Sequence, residues 1–458
     1  MVLPNPTILD NFSPLDVYGK VTRIVGLVIE GTCDISSIGS LCEISPLHGG
    51  EPINAEIVGY TNNQAQFMPL GEIRGLGPGS LIRVKSQHAS IHVGHNLLGR
   101  VIDGMGEPVD DGPPLHLQHQ HPLYASPPGP MLRDTIETPL DLGVRAINGM
   151  ITCGIGQRMG IMAGSGVGKS VLLGMMAKYA KTDINVIALI GERGREVREF
   201  IERDLGSEGL SRSVIIAVTS DQPPLLRMRG AYLATAIAEY FCAQQQNVLL
   251  MMDSVTRFAM AMREIGLAIG EPPTTKGYTP SVFATLPKLL ERAGKFKSQG
   301  SITGLYTVLV DGDDLTEPVA DSVRSILDGH IVLSRSLAAK NHYPAIDVMM
   351  STSRVMRDIV SPRHLELAGR TRGVMAVYNE SEDLINIGAY AAGSNPQIDY
   401  AIKRIDAINA FLNQGMDEAC SLDDSIQALG ELVSDRTGTD RRKPGRRSIE
   451  RRKKRSNH

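Results

Sequence analysis

The stretch Ala163-Gly164-Ser165-Gly166-Val167-Gly168-Lys169-Ser170 constrains this chain more than any other. The apolar run Met159-Gly160-Ile161-Met162 leads into it and reads as a buried strand. Val171-Leu172-Leu173-Gly174-Met175-Met176-Ala177 follows it and reads as a helix. A strand, a glycine-rich loop ending in Gly-Lys-Ser and a helix form the setting in which such a loop cradles phosphate. Gly164, Gly166 and Gly168 allow a tight turn whose backbone N–H groups face phosphate oxygens, and the helix N-terminus adds positive potential. Lys169 would reach the β- and γ-phosphates, and the Ser170 hydroxyl would ligate Mg²⁺. Ala163 stands where a first glycine is usual, and it is the smallest side chain after glycine.

The length of 458 residues implies two or three domains rather than one core. Aromatic residues make up 4% and tryptophan is missing, so the sequence gives little sign of a base-stacking surface for single-stranded nucleic acid. Cys33, Cys42, Cys153, Cys242 and Cys420 are scattered with no Cys-x-x-Cys, which reads as reduced thiols in a cytoplasmic protein. Met1 to Leu15 has neither the basic start nor the apolar core of a signal peptide. No apolar run approaches the roughly 18–20 residues that span a bilayer, so a soluble protein is expected. The net charge of −3 is unevenly spread: residues 441–458 hold ten Lys/Arg against one Glu, a net +9 that leaves −12 on the rest.

Residues 1–16, with prolines at 4 and 6, read as an arm. From Val17 onward, short β-rich pieces broken by Gly19, Gly26 and Gly31 precede strand candidates at Ser40–Ile44, Ile53–Tyr60, Gln64–Pro69 and Ser80–Lys85. That spacing predicts a small antiparallel barrel or sandwich ending near residue 94, followed by a turn-rich connector over Gly94–Pro130. Residues 131–370 alternate strands and helices, which predicts a mostly parallel sheet covered on both faces.

Asn185–Ile190 reads as the next strand and delivers Gly191-Glu192-Arg193-Gly194-Arg195-Glu196 at its carboxyl end, where open α/β sheets place ligand groups. Glu192 there is either a solvated carboxylate or the group that orients the water attacking a γ-phosphate. Val248-Leu249-Leu250-Met251-Met252 ends in Asp253, 84 residues after Lys169, an apolar strand whose terminal carboxylate can hold Mg²⁺ through water. Val214–Val218 is a further strand and Ala231–Gln244 a helix. Past Thr371 the pattern is helical: Ile398, Ile402, Ile405 and Ile408 recur at helical spacing behind Asn395-Pro396, and Leu422–Leu432 is a second amphipathic piece. The basic remainder reads as disordered.

Several of these stretches together resemble the rotary-type hexameric ATPases, the group of the F-type ATP synthase α and β subunits. They are Gly160–Lys178, Leu189–Phe200, Leu249–Arg257, Gly277–Gly294 and Tyr343–Arg354, with Pro344-Ala345-Ile346-Asp347 and Ser351-Thr352-Ser353 similar to that group's signature. The wording of Ala163–Lys178, Gly191–Val197, Gly277–Phe283 and Leu286–Arg292 resembles the type III secretion ATPases, and that of residues 271–292 their flagellar branch. The resemblance covers about residues 17–430.

It implies an α/β fold: a RecA-like P-loop ATPase core (95–370) with a small N-terminal β-barrel (17–94) and a C-terminal helical domain (371–435), the arm (1–16) and basic tail (436–458) outside. It implies ATP and Mg²⁺ as ligands, held by Gly164 to Val171 with Lys169 and Ser170 as the P-loop pair, and Asp253 and Ser170 at the metal. Glu192 matches the family's catalytic glutamate, Arg193 an arginine on the γ-phosphate, and Tyr343 the aromatic that stacks on adenine. Arg354 resembles an arginine finger presented to the neighbouring subunit.

The function so implied is ATP hydrolysis by a homohexamer that energises flagellar-type protein export, peripheral at the inner face of the membrane. Its expected partners are a regulatory, stator-like dimer at the N-terminal arm, a coiled-coil stalk protein in the ring, and the export gate with export substrates or chaperones. The basic tail suits an acidic membrane surface. Other readings on this fold are a virulence-type secretion ATPase, a rotary subunit without turnover, which Glu192 argues against, and a nucleic-acid translocase, for which the tail is the best support.

Overall fold

The computed structural model describes residues 18–433 apart from 34–35, 311 and 313; the expected arm and basic tail lie outside the described residues. Strands β1 (Tyr18–Val25), β2 (Val28–Thr32), β3 (Leu41–Ser45), β4 (Ile53–Thr61), β5 (Gln64–Pro69) and β6 (Leu81–Ser86) close into an antiparallel barrel in the order β1-β2-β5-β4-β3-β6. Closure leaves no open edge. Val21, Ile29, Ile44, Ile57, Phe67 and Ile82 fill the interior.

Two of the three glycines expected to break the early strands instead lie inside them. A Cβ at Gly19 would stand 1.8 Å from the Thr32 carbonyl oxygen, and one at Gly31 2.6 Å from Ile82 Cδ1, so these positions pass too close to a neighbour for any side chain. Only Gly26, at φ 56°, makes the turn. The barrel ends at Ser86, short of 94: Ser90–Val93 leaves it to pair with His119–Pro122.

Part of the expected connector is also sheet. Val101–Ile102 (β7) joins the central sheet, whose further strands are β8 (Arg158–Ala163), β9 (Ile184–Ile190), β10 (Ser213–Val218), β11 (Asn247–Asp253), β12 (Gly294–Lys295), β13 (Ser301–Leu309), β14 (Gly329–Leu333) and β15 (Ile346–Ser353). The spatial order is β15-β14-β8-β13-β11-β9-β10-β7, parallel except for β15, with β12 pairing antiparallel to the entry of β13. Both faces are covered, as near-continuous apolar strands require. In β9, Val186, Ala188 and Ile190 face one core, while Ile187 and Leu189 face the other.

The helices used below are α1 (Lys169–Tyr179), α2 (Gly194–Glu199), α3 (Pro224–Ala243), α4 (Val255–Ala268), α5 (Pro280–Leu290), α6 (Pro362–Asn386), α7 (Pro396–Leu412) and α8 (Leu422–Val433). Helix α6 runs straight across the boundary expected at 370/371; the chain turns helical at Pro362, where Ser361 caps the helix by accepting from the His364 N–H. Ile408 and Phe411 of α7 and Leu429 of α8 share one core with α1, so the helical region packs on the P-loop side of the sheet. The barrel is tied to the opposite layer by a desolvated ion pair, Arg229 on α3 to Glu56 on β4 at 3.0 Å, with the Tyr124 hydroxyl donating to the same carboxylate at 3.1 Å. No helix among the described residues is long and apolar enough to cross a membrane.

Candidate nucleotide-binding and catalytic site

The carboxyl ends of β8, β9 and β11 lie on one edge of the sheet and carry the P-loop, Glu192 and Asp253 in turn. Ala163 is the last residue of β8, buried, its carbonyl accepting from the Val310 N–H at 3.0 Å. It is a strand residue rather than a loop residue, so alanine serves in place of glycine. Positive φ occurs at Gly166 (78°) and Gly168 (86°), and Gly168 passes directly into α1. Val167 is 2% exposed and belongs to the core. Its contribution to a ligand is limited to the backbone, and its side chain anchors the loop.

The loop and the first turn of α1, with Ser165, Lys169, Ser170 and Val171, form one wall of a cavity of about 450 Å³. Glu192, Arg193, Glu196, Arg203 and Arg257, with Leu309 and Val310, line the rest. Lys169 Nζ spans the gap between strands: it donates to Glu192 Oε1 at 3.4 Å and makes a short contact with Asp253 Oδ1. Asp253 is buried and also accepts from the Thr307 hydroxyl at 2.7 Å.

Electrostatics follow from this packing. Burial pulls the Lys169 ammonium down, but Asp253 and Glu192 outweigh it and hold it above its ordinary value. Burial pushes the Glu192 carboxyl up to about 7, with Lys169 opposing and the Asp253 charge assisting. A carboxyl poised there accepts a proton near neutral pH, the property wanted of a general base.

Arg193 caps the start of α2; its side chain is 80% exposed and pairs with Glu196 at 3.0 Å. Tyr343 is 40% exposed and sits beside the loop, its ring carbons 3.5 Å from where a Gly168 Cβ would be. Its carbonyl accepts from the Gln414 N–H at 2.8 Å, which ties the ring to the helical region.

Arg354 is not in this cavity. It follows β15, and its N–H donates to the Asp328 carbonyl, whose own N–H donates to Arg158 at the entry of β8. Arg158 starts the strand that Ala163 ends, so Arg354 lies roughly 17 Å down the strand direction from the loop at about 3.3 Å per residue.

Three cavity residues had no role in the sequence reading. Arg257 is on the first turn of α4, four residues past Asp253, and contributes positive charge beside Glu192. Glu196 and Arg203 follow Glu192 in a charged run that, as sequence, is indistinguishable from a solvated helix face. For Thr307, one apolar-flanked threonine in a strand, the sequence carries no signal at all.

Among the described residues no three His, Cys, Asp or Glu side chains form a metal cage. The donors present are one hydroxyl (Ser170) and one buried carboxylate (Asp253) beside a phosphate loop. That set fits Mg²⁺, which takes one or two carboxylates plus substrate phosphates and keeps its waters.

Comparison with known proteins matches residues 143–353 to the nucleotide-binding domain of the ATP synthase alpha/beta family and 360–431 to the T3SS EscN ATPase C-terminal domain. The chain is 54% identical to the flagellum-specific ATP synthase of Bacillus subtilis, covering 91% of this chain and 95% of that relative. It is 50% identical to the type 3 secretion system ATPase of Xanthomonas euvesicatoria, over 91% and 94%. Among solved structures it is similar to the assembled ATPase EscN of the enteropathogenic E. coli type III secretion system, with TM-score 0.86 and 47% identity over 91% of this chain and 100% of that one. It is also similar to EscN in complex with its central stalk EscO, with TM-score 0.84.

Proposed function

The chain belongs to the ATP synthase alpha/beta family, in its flagellar and type III secretion branch, and from that membership we propose that it hydrolyses ATP to ADP and phosphate to energise flagellar-type protein export. The observation that carries the proposal is the placement of Lys169 Nζ between Glu192 and Asp253 at the strand ends. With ATP bound, the Lys169 ammonium turns from the carboxylates to the β- and γ-phosphates, and the loop N–H groups take up the remaining phosphate oxygens. Tyr343, beside Gly168, stacks on the base.

Glu192, whose carboxyl burial has already raised before ATP binds, orients the attacking water and takes its proton. Arg193 and Arg257 supply positive charge at the γ-phosphate end. Ser170 and Asp253 would hold Mg²⁺, which when bound would supply charge neutralisation at the phosphates. Arg354 acts on the site of the next subunit, since it cannot reach its own.

This makes the ring obligatory for turnover, and the assembled ATPase EscN and its stalk complex support a homohexamer with a central stalk protein here. The regulatory dimer, the export gate and cargo, and the acidic membrane surface are part of the same proposal. The arm and tail assigned to two of them lie outside the described residues. A subunit without turnover is disfavoured by Glu192 facing Lys169, and a nucleic-acid translocase by the match to the secretion ATPase C-terminal domain.

The deciding experiment deletes the gene in its source cell and scores filament assembly and injection-type secretion. Loss of filaments with secretion intact is expected. Normal filaments would overturn the flagellar assignment, and Mg-ATP hydrolysis by the purified chain tests the chemistry separately.

A further inference from the structure

Two donors converge on Asp253 Oδ1, the Lys169 ammonium and the Thr307 hydroxyl, the latter at 2.7 Å. They differ in how firmly they are held. Lys169 ends a flexible four-carbon stem. Thr307 lies in β13, opposite Ile161 of β8, while the preceding Tyr306 lies opposite Met252 of β11, so its backbone is fixed between two strands at the centre of the sheet. Its β-branched side chain has little χ1 freedom.

Thr307 is fully buried, where a parallel strand ordinarily carries valine or isoleucine. A hydroxyl there needs a partner. The nearby Met252 carbonyl is 3.3 Å away, so the single proton goes to the closer, charged acceptor.

We propose that Thr307 is a positioning residue for Asp253: it holds the carboxylate in one orientation when Lys169 leaves it for the phosphates. This rests on the reading of Lys169 as a phosphate ligand and Asp253 as the metal-site carboxylate. Without Thr307, departure of the lysine would strip Asp253 of both donors in a buried place, and the carboxylate would rotate or follow the ammonium. With it, one bond persists through the exchange.

Thr307→Val keeps the shape and removes the hydroxyl; Thr307→Ser keeps the hydroxyl and removes the methyl. The probe is Mn²⁺ binding followed by electron paramagnetic resonance with a non-hydrolysable ATP analogue present, alongside steady-state hydrolysis. In Thr307→Val, Mn²⁺ half-saturation and kcat should each worsen about tenfold, the scale of one lost bond to a buried charge, with the KM for ATP within about twofold. Thr307→Ser should restore both to within about threefold of the parent.

Parent-like Mn²⁺ binding in a folded Thr307→Val would overturn the proposal, as would equal losses in the serine variant. Thr307→Ala serves if the valine variant does not fold. A parent protein that binds Mn²⁺ with the analogue but hydrolyses nothing would refute the catalytic reading alone, because the Mn²⁺ comparison still decides the role of Thr307.

Discussion

The two ends of the central sheet are built on opposite terms. At the carboxyl end, Lys169, Glu192 and Asp253 stand at or just past the ends of three strands and share a largely buried network, with the Glu192 carboxyl raised to about 7. At the entry end, Arg354 is exposed, and it bonds to backbone carbonyls rather than to a carboxylate: its N–H donates to the Asp328 carbonyl at 2.9 Å and its guanidinium to the Arg324 carbonyl at 3.2 Å. In the reading proposed above, an arginine on the surface and away from its own cavity suits a cyclic assembly, in which a head-to-tail ring would bring the entry end of one copy to the carboxyl end of the next. On that proposal the buried end would set the chemistry and the exposed end would make it depend on assembly.

The largest test of this contrast removes the exposed partner. Arg354→Ala should bind ATP almost normally yet lose ~10³–10⁵ in kcat at every protein concentration, the scale of an arginine finger. Specific activity of the parent should rise with concentration as light scattering reports larger particles; a monomer hydrolysing at the assembled rate would break the contrast. Glu192→Gln acts at the buried end and should cost ~10²–10⁴ while ATP stays bound, since the amide cannot accept a proton. Turnover within threefold of the parent would remove Glu192 from its role.

Mixing the two variants sharpens the comparison. In a head-to-tail ring, an Arg354→Ala chain still offers an intact Glu192, and a Glu192→Gln neighbour still offers Arg354. An equimolar mixture should therefore recover about a quarter of the parental sites. No recovery, with mixed rings demonstrated, would mean that both groups act within one chain.

The smallest expected effect is the pH response of the buried end. Below about 7 the Glu192 carboxyl is protonated and cannot take a proton from water, so kcat/KM of assembled parent should climb as pH rises from 6 to 8 and level off above. Because the same group is raised above its ordinary 4.5, its contribution to stability has the opposite sign: the fold loses some stability as pH rises from 4.5 through 7, where the native carboxyl gives up a proton that the unfolded chain has already lost. A flat kcat/KM over that range would point to another base.

Much of the molecule was legible without coordinates. Gln64–Pro69 was expected and is found as β5, and the apolar run ending in Asp253 is β11. The loop from Ala163 to Ser170 joins strand to helix as its flanks implied. These are local properties: a period of two or of about 3.6, a glycine where φ is positive, an asparagine such as Asn395 before a helix. The errors share one cause. Gly19 and Gly31 were read as breakers because the strands that press against them are distant in sequence. Val101–Ile102 looked like connector because a two-residue strand has no periodicity, and only its pairing with β10 makes it sheet.

The sequence by itself marked the candidate residues for the chemistry, because the loop, the glutamate after β9 and the aspartate ending β11 each stand in a short-range pattern. Tertiary structure alone decided how they meet. Glu192 follows the P-loop by 23 residues in the chain, yet two strands, β13 and β11, stand between β8 and β9, and it is the reach of Lys169 across them that closes the site. Likewise Arg257 and Thr307 joined the site, and Arg354 left it, through strand order and strand direction. Those depend on which distant segments pair, and no window along the chain encodes the distance between two strand ends.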